Sequence, residues 1–120
     1  MINKIAVLGA GTMGRGIAET FALCGYRVNL YEPFDKVRES VMQAMMDELS
    51  FLGDNGVIKN EEVQMTLSRI LLFKDLREAV KDADYVIEAT PENIKLKQDL
   101  FKKLDIYCNP ETILASNTSS

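Results

Sequence analysis

The chain has 120 residues, 47% of them apolar and 27% charged, with a formal net charge of −4. That length suits one domain near the usual size of about 100–150 residues, and the acidic balance argues against nucleic acid as a partner. No apolar run approaches the roughly 18 residues of a membrane span, and no basic, apolar leader precedes the first strand-like run, so a cytoplasmic location is expected. Cys24 and Cys108 match no CxxC or zinc spacing; they are expected to be reduced and buried, with no metal site.

Residues 3–8 read as a short buried parallel strand, apolar and bounded by glycine. The run Gly9-x-Gly11-x-x-Gly14 follows at once, and a helix-like pattern over 12–24 begins inside it. Gly9 allows a tight turn, Gly11 lets a pyrophosphate approach the backbone, and Gly14 lets helix and strand pack closely. The helix start at Thr12 and Met13 offers unpaired N–H groups to phosphate oxygens. Met13, Ile17, Phe21 and Cys24 recur at helical spacing and predict the inward stripe, with Gly25 as terminator. Arg27–Tyr31 reads as a second strand.

Glu32 closes that strand, eighteen positions after Gly14. An acidic side chain there accepts hydrogen bonds from adenosine ribose hydroxyls and repels a 2′-phosphate, which favours NAD over NADP. Lys36 and Arg38 follow closely and leave NADP open. Residues 34–53 predict a long helix with Val37, Val41, Ala44, Met45, Leu49 and Leu52 inward. Gly53-Asp54-Asn55-Gly56 is turn chemistry, and a second helix is expected from Asn60 as N-cap through Val63 and Leu67. Met42, Met45 and Met46 read as packing rather than a ligand box.

Ile70–Phe73 reads as a third strand, residues 75–80 as a short helix and Tyr85–Ala89 as a fourth strand. A helix over 94–107 turns Leu96, Leu100, Phe101, Leu104 and Tyr107 inward. Ile113–Ala115 is a fifth strand. Alternating strands and helices predict an α/β fold, a Rossmann-type doubly wound parallel sheet. The expected strand order is 3-2-1-4-5, with a helical hairpin inserted after the second strand and one domain over residues 1–120. Ligands in such sheets lie at the carboxyl ends of the strands where the order reverses. Gly9–Gly14, Glu32, Thr90–Glu92 and Asn117–Ser119 are therefore expected around one crevice, with the nicotinamide end toward the fourth and fifth strands.

Val7-Leu8-Gly9-Ala10-Gly11-Thr12-Met13-Gly14, Glu88-Ala89-Thr90-Pro91-Glu92-Asn93 and Ala115-Ser116-Asn117-Thr118-Ser119-Ser120 together closely resemble the NAD-binding domain of the 3-hydroxyacyl-CoA dehydrogenases. The resemblance covers the whole chain, hairpin included. It implies oxidation of an L-3-hydroxyacyl-CoA to the ketone with NAD. It implies cofactor contacts at Gly9, Gly11, Gly14, Glu32, Glu92, Lys97 and Asn117, and a catalytic Ser119 that hydrogen-bonds the reacting oxygen.

The sequence departs from that family in three ways. Glutamate stands at position 32, where most members have aspartate. The hairpin over residues 41–58 carries Asp47, Glu48 and Asp54 and no lysine or arginine. The chain has no histidine, whereas the family's general base is a histidine downstream of the Ser-Asn-Thr-Ser-Ser run, paired with a glutamate. A piece cut after that run is expected, inactive alone, with the C-terminal helical domain that binds substrate and forms the homodimer lying beyond it. Two other readings stay open: a dehydrogenase of free hydroxy acids such as gulonate or carnitine, and a non-catalytic NAD(H)-binding module.

Overall fold

The computed structural model describes residues 3–90 and 94–116. Five strands form one parallel sheet: β1 (Lys4–Leu8), β2 (Arg27–Tyr31), β3 (Ile70–Phe73), β4 (Tyr85–Glu88) and β5 (Ile113–Ser116). Their order is β3-β2-β1-β4-β5, as expected. The helices are α1 (Thr12–Leu23), α2 (Asp35–Asp54), α3 (Asn60–Ser68), α4 (Leu76–Val80) and α5 (Ile94–Tyr107).

Alternation along the central strand divides the core in two. Ile5 and Val7 of β1 face one side of the sheet and pack in a cluster with Ala18, Ala22, Val41, Met45, Leu49, Val63 and Leu67 from α1, α2 and α3. Ala6 and Leu8 face the other side and join Leu76, Ala79, Val80 and Leu104 from α4 and α5. Period-two strands buried on both faces require apolar residues at every position, which is why β1 reads as an unbroken apolar run.

The helix after the glycines turns inward by a different stripe from the expected one. Gly14, Ala18 and Ala22 are buried, whereas Met13 is 47% exposed and Cys24 is exposed. Close approach to the sheet leaves room only for small residues at the contact line, and Ile17 and Phe21 flank it. Gly25 terminates the helix with φ +101°. Its N–H donates to the Ala22 carbonyl, that of Tyr26 to the Phe21 carbonyl, and the Phe21 and Tyr26 rings meet edge to face. These are the bonds and the apolar contact of a Schellman cap.

The hairpin differs in one detail. Asn60 is the first helical residue of α3 and Lys59 its N-cap; the Glu62 carboxylate accepts the Lys59 N–H at 3.1 Å. Along α2 the expected face holds, with Val41, Met45 and Leu49 buried and Val37 and Leu52 partly so. Met45 is core and Met42 packs against that cluster, whereas Met46, also expected to pack, is exposed. On α5, Leu104 is buried with Leu100, Phe101 and Tyr107 around it; the Leu96 side chain lies outside the described residues. Cys108 is half-buried, and both cysteines are free thiols. No helix among the described residues is long and apolar enough to cross a membrane.

Candidate cofactor cleft

The loop leaving β1 contains two glycines that the protein itself requires. Gly9 has φ +102°, and a Cβ there would lie 2.9 Å from the Ala89 carbonyl oxygen. A Cβ on Gly14 would fall 1.7 Å from the Gly9 carbonyl oxygen. Gly11 is different. Its φ is −68°, open to any residue, and a Cβ would meet no atom within 4 Å. Nothing in the packing of the described residues calls for glycine there.

The open space beside Gly11 lies at the start of α1. Gly11 is the N-cap and has no side chain to accept first-turn N–H groups. Arg15 donates its N–H to the Gly11 carbonyl at 2.8 Å, so the amides before it stand outside the helical ladder. Thr12 and Met13 are exposed in that turn. Free amides, the positive end of the helix dipole and an unobstructed backbone fit a pyrophosphate.

Glu32 lies just past β2 and is 5% exposed. Its Oε1 accepts the Ala10 N–H at 2.9 Å, and its Oε2 accepts the Phe34 N–H at 3.0 Å. The carboxylate is thus a brace between the glycine loop and the start of α2, beyond the ribose role that spacing suggests. Each oxygen keeps a second lone pair for a hydroxyl donor. Arg38 donates to the Glu32 carbonyl at 2.8 Å and pairs with Asp35. Its guanidinium is engaged within the protein, which weakens the case for a 2′-phosphate site.

A second carboxylate, Glu88, ends β4 opposite Leu8 of β1 and Ser116 of β5, and it is fully buried. Its Oε2 accepts the Thr90 N–H at 2.7 Å and also the Thr90 hydroxyl; its Oε1 accepts the Ser116 hydroxyl at 2.8 Å. Lys97 of α5 brings its Nζ to 3.8 Å from Oε1, with its side chain only 14% exposed. Lys97 therefore turns back to the carboxyl end of the sheet, although its position beside Phe101 equally suited a solvated stem along the helix.

Gly9, Gly11, Gly14, Glu32 and Lys97 are thus gathered at the carboxyl ends of β1, β2 and β4. Glu92, Asn117 and Ser119 lie outside the described residues, as do Pro91, Asn93, Thr118 and Ser120. Sequence reasoning treated Glu88 only as part of a motif and missed its hub of contacts. The available signal was a carboxylate closing an otherwise apolar central strand. Among the described residues no group of three or more His, Cys, Asp or Glu could hold a metal ion.

The family model described as "3-hydroxyacyl-CoA dehydrogenase, NAD binding domain" matches residues 4–120. A Bacillus subtilis (strain 168) protein named "Probable 3-hydroxybutyryl-CoA dehydrogenase" is 42% identical over 119 residues, covering 99% of this chain and 41% of that protein. The glyoxysomal fatty acid beta-oxidation multifunctional protein MFP-a of Brassica napus is 40% identical over 119 residues, covering 99% of this chain and 16% of that protein. The crystal structure of 3-hydroxybutyryl-CoA dehydrogenase from Escherichia coli K12 superposes with a TM-score of 0.94 at 36% identity, covering 100% of this chain and 25% of that one. The chain thus spans less than half the length of these relatives, and its match covers both the glycine loop and the hairpin. It belongs to the 3-hydroxyacyl-CoA dehydrogenase family, as its NAD-binding domain.

Proposed function

We propose that this chain holds NAD for an enzyme that oxidises the 3-hydroxyl of an L-3-hydroxyacyl-CoA. The observation that carries the reading is Gly11, a glycine with no structural reason among the described residues, at the mouth of a helix whose first amides lie outside its ladder. The substrate class is supported by the relatives' names. In this reading Gly9, Gly11 and Gly14, with the amides of Thr12 and Met13, bind the pyrophosphate. Glu32 accepts hydrogen bonds from the adenosine ribose, and Glu92, Lys97 and Asn117 complete the cofactor contacts. The chemistry supplied by bound NAD is acceptance of the hydride from the substrate's carbinol carbon. Ser119 hydrogen-bonds the reacting oxygen, as a hydroxyl can both donate and accept.

The 120 residues contain no histidine, so the reading assigns the hydroxyl proton to a histidine in a further, C-terminal helical domain. That domain would also complete the acyl-CoA site and form a homodimer, and the protein would work in the cytoplasm. A positioned base contributes about 10²–10⁴-fold, so this chain by itself should bind NADH yet turn over at most a small fraction as fast as the full-length enzyme. The test is reduction of acetoacetyl-CoA by the full-length protein with NADH and NADPH. Rapid turnover with NADH is expected; turnover by the 120 residues alone at the full rate would overturn the assignment of the base. The acidic hairpin supports a second reading, a free hydroxy acid as substrate. Activity on gulonate or carnitine without activity on acyl-CoA would establish it.

A further inference from the structure

The reading above uses Lys97 and the loops after β4 and β5, and it leaves the buried Glu88 without a role. We propose that Glu88 is a positioning residue for the nicotinamide side of the cleft. It fixes the Lys97 ammonium, the Thr90 loop and Ser116 as one unit. The inference rests on the NAD-binding reading.

Glu88 stands where the sheet would accept an apolar residue. Its β1 partner in register is Leu8, and the two preceding residues of β4, Val86 and Ile87, are apolar and buried. A carboxylate in such a place is costly unless its oxygens are satisfied. Here Thr90 and Ser116 hydrogen-bond them and the Lys97 ammonium stands 3.8 Å from Oε1, so three separate segments meet at the carboxylate. Thr90 comes from the loop after β4, Lys97 from α5 and Ser116 from the end of β5. None of these donors is a bond of the sheet or a helix, so the fold does not need Glu88 to close its ladders. Each segment leads to a residue assigned to the cofactor or substrate. Thr90 precedes Pro91-Glu92, Lys97 is itself assigned, and Ser116 precedes Asn117-Thr118-Ser119. The loop held by Thr90 also abuts the glycine turn, because a Cβ on Gly9 would lie 2.9 Å from the Ala89 carbonyl oxygen.

The carboxylate therefore does two things. Its charge faces a long, flexible lysine at the carboxyl edge of the sheet, and its second oxygen holds Thr90 as the chain leaves β4. Glutamine keeps the size of the side chain and removes the charge. Its amide would face the Lys97 ammonium or the Thr90 N–H, donor against donor, and one of those contacts must open.

The experiment measures binding of NADH and of ADP to the full-length protein by titration calorimetry, for the wild type, Glu88→Gln, Lys97→Met and the double variant. NADH spans the cleft, whereas ADP fills only the glycine-loop side. Glu88→Gln should weaken NADH about tenfold, the scale of one hydrogen bond to a charged group, and leave ADP unchanged. Lys97→Met should weaken NADH as well, and the double variant should be no worse than Glu88→Gln. Equal losses for NADH and ADP would mean a general collapse and overturn the proposal; so would unchanged NADH affinity or additive losses. Should Glu88→Gln not fold, Ser116→Ala removes one donor from Oε1. About threefold weaker NADH with ADP unchanged supports the proposal, and full NADH affinity refutes it. A wild type that binds neither ligand refutes the NAD reading itself, an outcome distinct from a wild type that binds both while Glu88→Gln matches it.

Discussion

Two buried carboxylates flank the cleft, and they are satisfied by different kinds of donor. Glu32 takes backbone N–H groups, from Ala10 in the glycine loop and from Phe34 two residues on. Glu88 takes side chains and one local amide, with Ser116 and Lys97 reaching it from other segments. Backbone donors are present whatever the sequence, so the Glu32 side needs only a carboxylate at the right spacing. Side-chain donors must be supplied individually, so the Glu88 side depends on three residues, the furthest of them 28 positions along the chain. The adenosine side is accordingly held by backbone donors, and the opposite side is an assembly that single substitutions can dismantle.

The largest effect should come from the glycine loop between them. Gly11→Val should lower NADH affinity by more than about a hundredfold with little change in Tm, because the side chain enters only open space that a pyrophosphate would use. Gly14→Ala is the contrasting variant. Its Cβ would meet the Gly9 carbonyl oxygen at 1.7 Å, so both affinity and stability should fall, the latter by roughly 1–3 kcal/mol of overpacking. Gly11→Val binding NADH normally would remove the central claim.

Glu32→Ala comes next and sharpens the comparison directly. It strands the buried Ala10 N–H, at a cost of about 2 kcal/mol, read as a drop in the chemical-denaturation midpoint. NADH affinity should fall, and preference over NADPH should narrow. A variant with unchanged stability would show that Glu32 braces nothing. Preference of the wild type for NADPH would remove its proposed part in cofactor choice.

The smallest effect lies behind the cleft, between α1 and α2. Burial and the neighbouring Glu48 carboxylate push Glu19 from an ordinary 4.5 up to about 7, with Arg15 opposing. Arg15 Nε lies 2.5 Å from Glu48 Oε1. Glu19 thus holds its proton more tightly folded than unfolded. Between about pH 4.5 and 7 the folded state carries more protons, and this pair's contribution to stability falls as pH rises. The residue is only partly buried, so the loss is on the order of 1 kcal/mol after screening. Urea melts at pH 5 and 7.5 should show the loss in the wild type and a flatter profile in Glu19→Gln; an unchanged slope would exclude the pair.

Much of this was legible in the residues. Short, largely apolar runs separated by helical periods specify five strands, and their alternation with helices points to the parallel order 3-2-1-4-5. The inward face of α1 was not legible by periodicity. Residues 13, 17, 21 and 24 carry the larger side chains, but the sheet approaches through Gly14, Ala18 and Ala22. Hydrophobicity marks what prefers burial, while packing distance decides which side chains fit. The α3 cap was misread for a similar reason. Asn60 is a good capping residue by type, but Glu62 already accepts the Lys59 amide and moves the helix start back by one position.

The sequence by itself determined the alternation of strands and helices, the glycine turn and the acidic residue at the end of the second strand, because these depend on local spacing and backbone geometry. Tertiary structure decided what the carboxylates do. Only in the folded chain does Glu32 reach across 22 positions to Ala10, and only there do Thr90, Lys97 and Ser116 converge on Glu88. Such contacts join segments distant in sequence through burial, and no local pattern encodes which buried charge will find which donor.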